Sequence, residues 1–145
     1  MYNFLIFYSF KSKSSLLVTN ELIKHSIFNK SYTYDISSPY IFNKLNINEI
    51  LFVATTAGDS ELTSTFESFL VNTDWSNFLR RKFSIIEIGI YNGLDNTSFG
   101  SAKIIELYLS SKHLTYSGNV LSIDSYRNPD ITLLNRWVNK NFAYD

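Results

Sequence analysis

The chain of 145 residues contains no cysteine. Disulfides, thiolate nucleophiles and cysteine-held metal clusters are therefore excluded. Its two histidines, His25 and His113, lie far apart in sequence, and no His-rich metal motif results. Charge of either sign is not in excess, with 13 Lys and Arg against 13 Asp and Glu. With no surplus of basic charge for phosphates, nucleic acid is not expected as the main partner. There is no G-x-S-x-G elbow, no Walker sequence and no G-x-G-x-x-G. Glu61, Glu67 and Glu87 have no evident carboxylate partner for acid–base work. Glycine is scarce, at 5 residues, while Asn, Ser, Ile, Tyr, Phe and Lys are heavily used. This points to a coding bias, so a serine where a turn would ordinarily take glycine counts for less than usual. The apolar start, Met1 to Phe10, is too short to span a membrane. No basic residue precedes it and no small-residue cleavage site follows, so it reads as a buried first strand rather than a signal.

What is present is a hydrophobic chain, 45% apolar and 17% aromatic, long enough for one domain over residues 1–145 with a full core. Asn3–Ser9 is aromatic and aliphatic without helical period, and reads as a strand. Leu16, Leu17, Leu22, Ile23 and Ile27 recur at helical spacing, so residues 15–28 read as a helix. Ser31–Ile36 alternates as a strand, and Pro39 opens a short helix over Tyr40–Leu45. Asn48–Thr55 is an apolar run read as the central strand. Helices follow over Glu61–Val71 and, after an irregular stretch at Asp74–Arg81 and a strand at Phe83–Ile90, over Ser98–Leu109. The last of these carries Ile104, Ile105, Leu107 and Tyr108 inward. Asn119–Asp124 is the fifth strand, and Pro129 opens a last helix with Ile131, Leu134, Trp137 and Val138. Five strands alternating with five helices imply a parallel α/β sheet covered on both faces.

Three strand-end loops carry the chemistry, because ligands of open α/β sheets sit beyond the carboxyl ends of the strands. Ser9, Phe10, Lys11, Ser12, Lys13, Ser14 and Ser15 lead into a helix. Free backbone N–H groups, the helix dipole, hydroxyls and two lysines suit a monophosphate there; the bland alternative is a solvated, capped turn. Thr55, Thr56, Ala57, Gly58 and Asp59 end the central strand, and their hydroxyls and the Ala57–Gly58 peptide can meet the polar edge of a flat ring. The bland alternative is a plain strand-to-helix turn capped by Asp59 or Ser60. Gly89 and Gly93 flank Tyr91 and Asn92, so Tyr91 either stacks on a planar ligand or packs at the sheet end.

Together these loops resemble the flavodoxin family, with short single-domain members of the MioC type and the FMN domains of diflavin reductases as the nearest likeness. The loop at Ser9–Ser15 is similar to the family's phosphate loop. Val53-Ala54-Thr55-Thr56-Ala57-Gly58-Asp59, followed by Phe66 and Phe69-Leu70, resembles its second loop and helix. Gly89-Ile90, Phe99 and Ala102 fall like its third. The likeness spans nearly the whole chain. It departs where Lys11 and Ser12 replace the usual Thr and Gly, and where Tyr91-Asn92 replaces Gly-Asp. The resemblance implies a flavodoxin-like doubly wound five-stranded sheet of order 2-1-3-4-5 with helices on both faces. It implies one-electron transfer through non-covalent FMN, not catalysis, in a cytoplasmic monomer serving a reductase and an acceptor enzyme, with neither nucleic acid nor membrane as partner. The phosphate falls in Ser9–Ser15, and the ring between Thr55–Asp59 and the segment with Tyr91, Asn92, Gly93 and Phe99. The alternative is a domain of the same fold that has lost FMN and serves as an interaction module, which the Gly-free first loop favours. A small flavin-dependent reductase is a weaker reading, since no hydride-donor site is evident.

Tyr91 is the one aromatic ring between Gly89 and Gly93. A stacked contact contributes about 0.5–1.5 kcal/mol beyond area burial. Tyr91→Ala should therefore weaken FMN binding roughly two- to twelvefold without unfolding the domain, as read by a fluorescence titration beside a thermal melt.

Overall fold

The computed structural model describes residues 2–41, 46–57, 61–89, 100–124 and 129–142. Its strands are β1 (Phe4–Tyr8), β2 (Tyr32–Asp35), β3 (Glu49–Ala57), β4 (Glu61–Leu62), β5 (Lys82–Gly89) and β6 (Thr115–Asp124). The α-helices among the described residues are α1 (Lys13–Leu22), α2 (Ser64–Asn72), α3 (Ser101–Ser111) and α4 (Ile131–Asn141). The sheet runs β2-β1-β3-β5-β6, every neighbouring pair parallel. Counting these five strands in chain order, the arrangement is 2-1-3-4-5, the flavodoxin-like doubly wound order. The expected sheet with its central third strand is therefore present.

Side chains of successive strand residues point to opposite faces, and each face has its own core. Leu5, Phe7, Ile50, Phe52, Phe83 and Ile85 pack with Phe66 and Phe69 of α2 and Ile105 and Leu109 of α3. Phe4, Ile6, Leu51, Val53, Ile86 and Ile88 pack with Val18 and Leu22 of α1 and Leu134, Trp137 and Val138 of α4. Phe7 is the hub of the first core. Its ring stacks on Phe52 with centroids 5.3 Å apart and meets Tyr40, Phe69 and Trp75 within 6 Å. Among the described residues no helix is long and apolar enough to cross a membrane.

Several element boundaries differ from the expectation, each for a local reason. β3 continues through Thr56 and Ala57, and the chain folds back so that Glu61–Leu62 pairs antiparallel with it. These residues are thus strand, not the start of a helix. α2 begins only after Thr63, whose hydroxyl accepts the Phe66 N–H at 3.3 Å as an N-cap. α1 ends at Leu22 rather than 28. A separate 3₁₀ turn, Ser26–Phe28, then carries the Phe28 ring to 4.7 Å from Phe4. The buried positions of α1 are Ser15, Val18, Thr19 and Leu22, so Leu17 and Ile23 face solvent. On α3 the inward stripe is Ser101, Ala102, Ile105 and Leu109. Ile104 and Leu107 lie outside that stripe, Leu107 at 60% exposure. α3 closes with His113 at φ 68° and the Leu114 N–H bonded to the Leu109 carbonyl at 3.1 Å, a left-handed cap that usually takes glycine. β6 begins at Thr115, four residues before the expected start. A bulge with Gly118 at φ 85° shifts its register against β5 between Phe83 and Ile85. Tyr40 and Ile41 are not helical, and the rest of the expected 40–45 helix lies outside the described residues.

Truncating a buried phenylalanine removes its transfer energy and leaves a cavity, at about 3–5 kcal/mol. Phe7→Ala should thus lose a large part of a typical stability of about 5–15 kcal/mol. Phe10→Ala, at a ring 62% exposed, should stay within about 0.5 kcal/mol. Urea unfolding of both variants measures the difference.

Candidate functional site

A parallel sheet brings the end of every strand to one edge, and here β1 and β3 are neighbours whose following chain leaves to opposite sides. Their junction is the switch point where a crevice opens. The first loop is built around its serines. Ser12 caps α1, its hydroxyl accepting the Ser15 N–H at 3.3 Å and lying 3.3 Å from the Ser14 hydroxyl. Ser15 is fully buried. Its hydroxyl accepts the Ser9 N–H at 3.0 Å and donates to the Val53 carbonyl at 3.4 Å, tying the end of β1 to β3. That hydroxyl is engaged on both sides within the protein. The backbone N–H groups of Lys11, Lys13 and Ser14 have no acceptor among the described residues. Lys11 and Lys13 are exposed, and Ser12 and Ser14 half-buried.

A neighbour absent from the sequence reading is Asp35, at the end of β2. One carboxylate oxygen accepts the Phe10 N–H at 2.9 Å and the other the Ser37 hydroxyl at 2.6 Å. The Phe10 amide is therefore engaged within the chain, while its ring stays open to solvent. The pairing became visible only when the sheet set β2 beside β1.

At the end of β3, Thr55 and Thr56 point to opposite faces, as neighbours on a strand must. The Thr56 hydroxyl lies 2.8 Å from that of Ser101 in the first turn of α3. Two residues before the end of β5, the fully buried Glu87 accepts the Ala102 N–H at 3.0 Å and the Ser122 hydroxyl at 2.6 Å. Gly58, Asp59, Tyr91, Asn92, Gly93 and Phe99 lie outside the described residues, as does Ile90. The structure thus brings Ser9–Ser15 and Thr55–Ala57 to one edge, beside the last residues of β5 and the first turn of α3. A groove of about 340 Å³ adjoins this edge, walled by Ser37, Ser38, Ser64, Thr65, Ser68 and Asn72 over Phe69. Its hydroxyl lining carries no charge. Among the described residues no group of three or more His, Asp or Glu is placed to hold a metal ion.

Fold and edge together define a flavodoxin-like α/β domain with a polar crevice at the carboxyl ends of its strands. Solved structures with this architecture include flavodoxins. That of Fusobacterium nucleatum, bound to flavin mononucleotide, aligns over 97% of this chain and 96% of its own with a TM-score of 0.69 and 12% identity. A cysteine-to-alanine mutant of Pseudomonas aeruginosa flavodoxin aligns over 97% and 95%, with a TM-score of 0.72 and 13% identity. Oxidised flavodoxin 1 of Bacillus cereus aligns over 98% and 95%, with a TM-score of 0.66 and 15% identity. No protein-family model matches the sequence, and neither does any curated protein. The likeness is therefore one of fold.

Ser15→Ala should leave the part-buried Ser9 N–H and the buried Val53 carbonyl without this partner, at a cost of about 1–3 kcal/mol. Ser14→Ala, which removes only a half-buried contact with Ser12, should be close to neutral. Denaturant unfolding distinguishes the two.

Proposed function

We propose that this chain is a one-electron carrier that binds FMN non-covalently at the carboxyl edge of its sheet. The observation that carries the reading is the start of α1 beside the switch point. There the Lys11, Lys13 and Ser14 N–H groups have no acceptor among the described residues, the Ser12 and Ser14 hydroxyls stand together, and two lysines flank them. This donor set fits a phosphate monoester: it offers hydrogen bonds and positive charge at a helix N-terminus. Ser15 holds the loop's shape from beneath. The flavin would supply the redox chemistry, and the protein its orientation and electrostatic surroundings. Thr55 and the Ala57–Gly58 peptide would line one side of the ring, and Asn92, Gly93, Phe99 and a stacking Tyr91 the other. Asp59 would border the ring's polar edge, and Phe10 offers an uncovered aromatic surface near the phosphate. Electrons would pass through the exposed ring edge between a reductase and an acceptor enzyme, with the protein acting as a cytoplasmic monomer and catalysing no reaction of its own. The FMN carried by the Fusobacterium nucleatum protein of the same fold supports this reading.

A second reading, an interaction module without FMN, is favoured by Asp35. Its carboxylate takes the Phe10 N–H and brings negative charge to the rim of the phosphate loop.

Titration of FMN fluorescence with the flavin-free protein separates the two. The carrier reading expects saturable quenching at one FMN per chain. Ser14→Asp should weaken it tenfold or more, at least about 1.4 kcal/mol, because a carboxylate would face the phosphate. The same variant should keep or slightly raise the melting temperature, since a negative side chain in the first turn suits the helix dipole. A parent protein that leaves FMN fluorescence unquenched would overturn the carrier and leave the module.

A further inference from the structure

Glu87 is a carboxylate at 0% exposure in a strand of otherwise apolar and small residues, Phe83 to Gly89. It shares the α3-facing side of β5 with Phe83 and Ile85, and its backbone register partner on β3 is Ala54. Burying a charge is expensive, and apolar replacement of buried ionic groups is often neutral or stabilising. Stability alone gives little reason for Glu87.

The helix above it gives a better one. α3 starts from Gly100 at φ 94°, which has no side chain to cap the helix and makes no side-chain cap bond. A helix start has orphan N–H groups and a positive dipole end that favour a negative acceptor. Glu87 supplies that acceptor from within the sheet, through Oε1 to the Ala102 N–H, while Oε2 takes the Ser122 hydroxyl of β6. Each carboxyl oxygen thus has its own hydrogen-bond partner. The Thr56–Ser101 pair fixes the same turn to β3. Three strands thereby grip the first turn of α3, the point to which the chain returns after the 90–99 segment.

We propose that Glu87 is a positioning residue of the carboxyl-edge site. It caps α3 in place of Gly100, so holding the return end of the third loop, and its fixed charge beneath the end of β5 disfavours electron addition to a flavin bound above. The second half rests on the FMN reading of the preceding subsection. Glu87 lies two residues from the strand end, roughly 7 Å along the strand. A buried charge is screened less by solvent than an exposed one, so it would act on a reduced, anionic ring held beyond that strand end.

The test compares the parent with Glu87→Gln and Glu87→Leu. Amide hydrogen exchange of the flavin-free proteins reads the cap directly. In Glu87→Leu the Ala102 amide should exchange at least tenfold faster relative to core β3 amides. In Glu87→Gln, whose amide oxygen can still accept, most of that protection should return. Unchanged Ala102 protection in Glu87→Leu would overturn the capping role. If that variant does not fold, Glu87→Ala takes its place, and unchanged Ala102 protection there would overturn the capping role. A redox titration of FMN on the parent and on Glu87→Gln reads the charge. The neutral variant should bind reduced flavin about tenfold tighter relative to oxidised flavin, a rise of about 59 mV per one-electron step. Flavin on both proteins at equal potentials would overturn the electrostatic half alone. A parent that binds no FMN would overturn that half together with the carrier reading, and the exchange result would still decide the cap.

Discussion

Parallel pairing is the constraint on which the rest of the molecule depends. Two parallel strands cannot be joined by a tight turn, so each crossover must carry the chain back across a face of the sheet. Both faces then need covering, and both become apolar. β3 shows the result: Ile50 to Ala54 have no exposed surface on either side. The same constraint sends the chain out of every strand at one edge and points the helix starts toward it. Polar groups that the cores cannot accept collect there, and so does any chemistry.

That edge is held by hydrogen-bonded joints rather than by aromatic packing. Ser15 joins β1 to β3, Thr56 and Ser101 join β3 to α3, and Glu87 joins β5, β6 and α3. Asp35 adds a tie from β2 to the first loop. The buried ones, Ser15 to Val53 and Glu87 to Ala102, satisfy groups that would otherwise be buried unpaired, at a cost of about 1–3 kcal/mol. Away from the edge the opposite holds. Phe7, Phe52, Phe69, Trp75 and Phe78 form a continuous aromatic cluster in which Trp75 spends its one polar group on the Leu70 carbonyl at 2.8 Å. A rigid aromatic floor beneath a polar rim is a fitting base for a site that must hold its donors in place.

A net charge of zero conceals an uneven distribution. Arg80, Arg81 and Lys82 lie at the start of β5, and Lys112 and His113 precede β6, all exposed. They lie at the amino end of the strands, bound together by the Arg80 N–H on the His113 carbonyl at 2.8 Å. Asp35 and Asp124 end β2 and β6 at the other edge. Lys11 and Lys13 stand at that same edge, so the unevenness is local.

The alternation of apolar runs with helical periods was enough to determine a parallel sheet with a central third strand, since strand and helix periods are local properties of a few consecutive residues. The first loop was legible for the same reason: Ser12 and Ser14 stand next to the helix they begin. Other features are not local. Leu17 and Leu107 fit a helical period as well as Val18 and Leu109 do, and only the position of the sheet decided which stripe turned inward. The return of Glu61–Leu62 onto β3 needed the strand beside it. Glu87 read as a lone acid because its partners, Ala102 and Ser122, lie 15 and 35 residues away. Asp35 meets Phe10 across 25 residues, and Ser15 reaches Val53 across 38. The sequence by itself determined the kinds of elements and the edge where a ligand would lie, because these follow from short-range pattern and the rules of parallel connection. Tertiary structure alone decided which polar side chains stay open at that edge and which are consumed as joints, because a buried donor is paired with whatever acceptor the fold brings near.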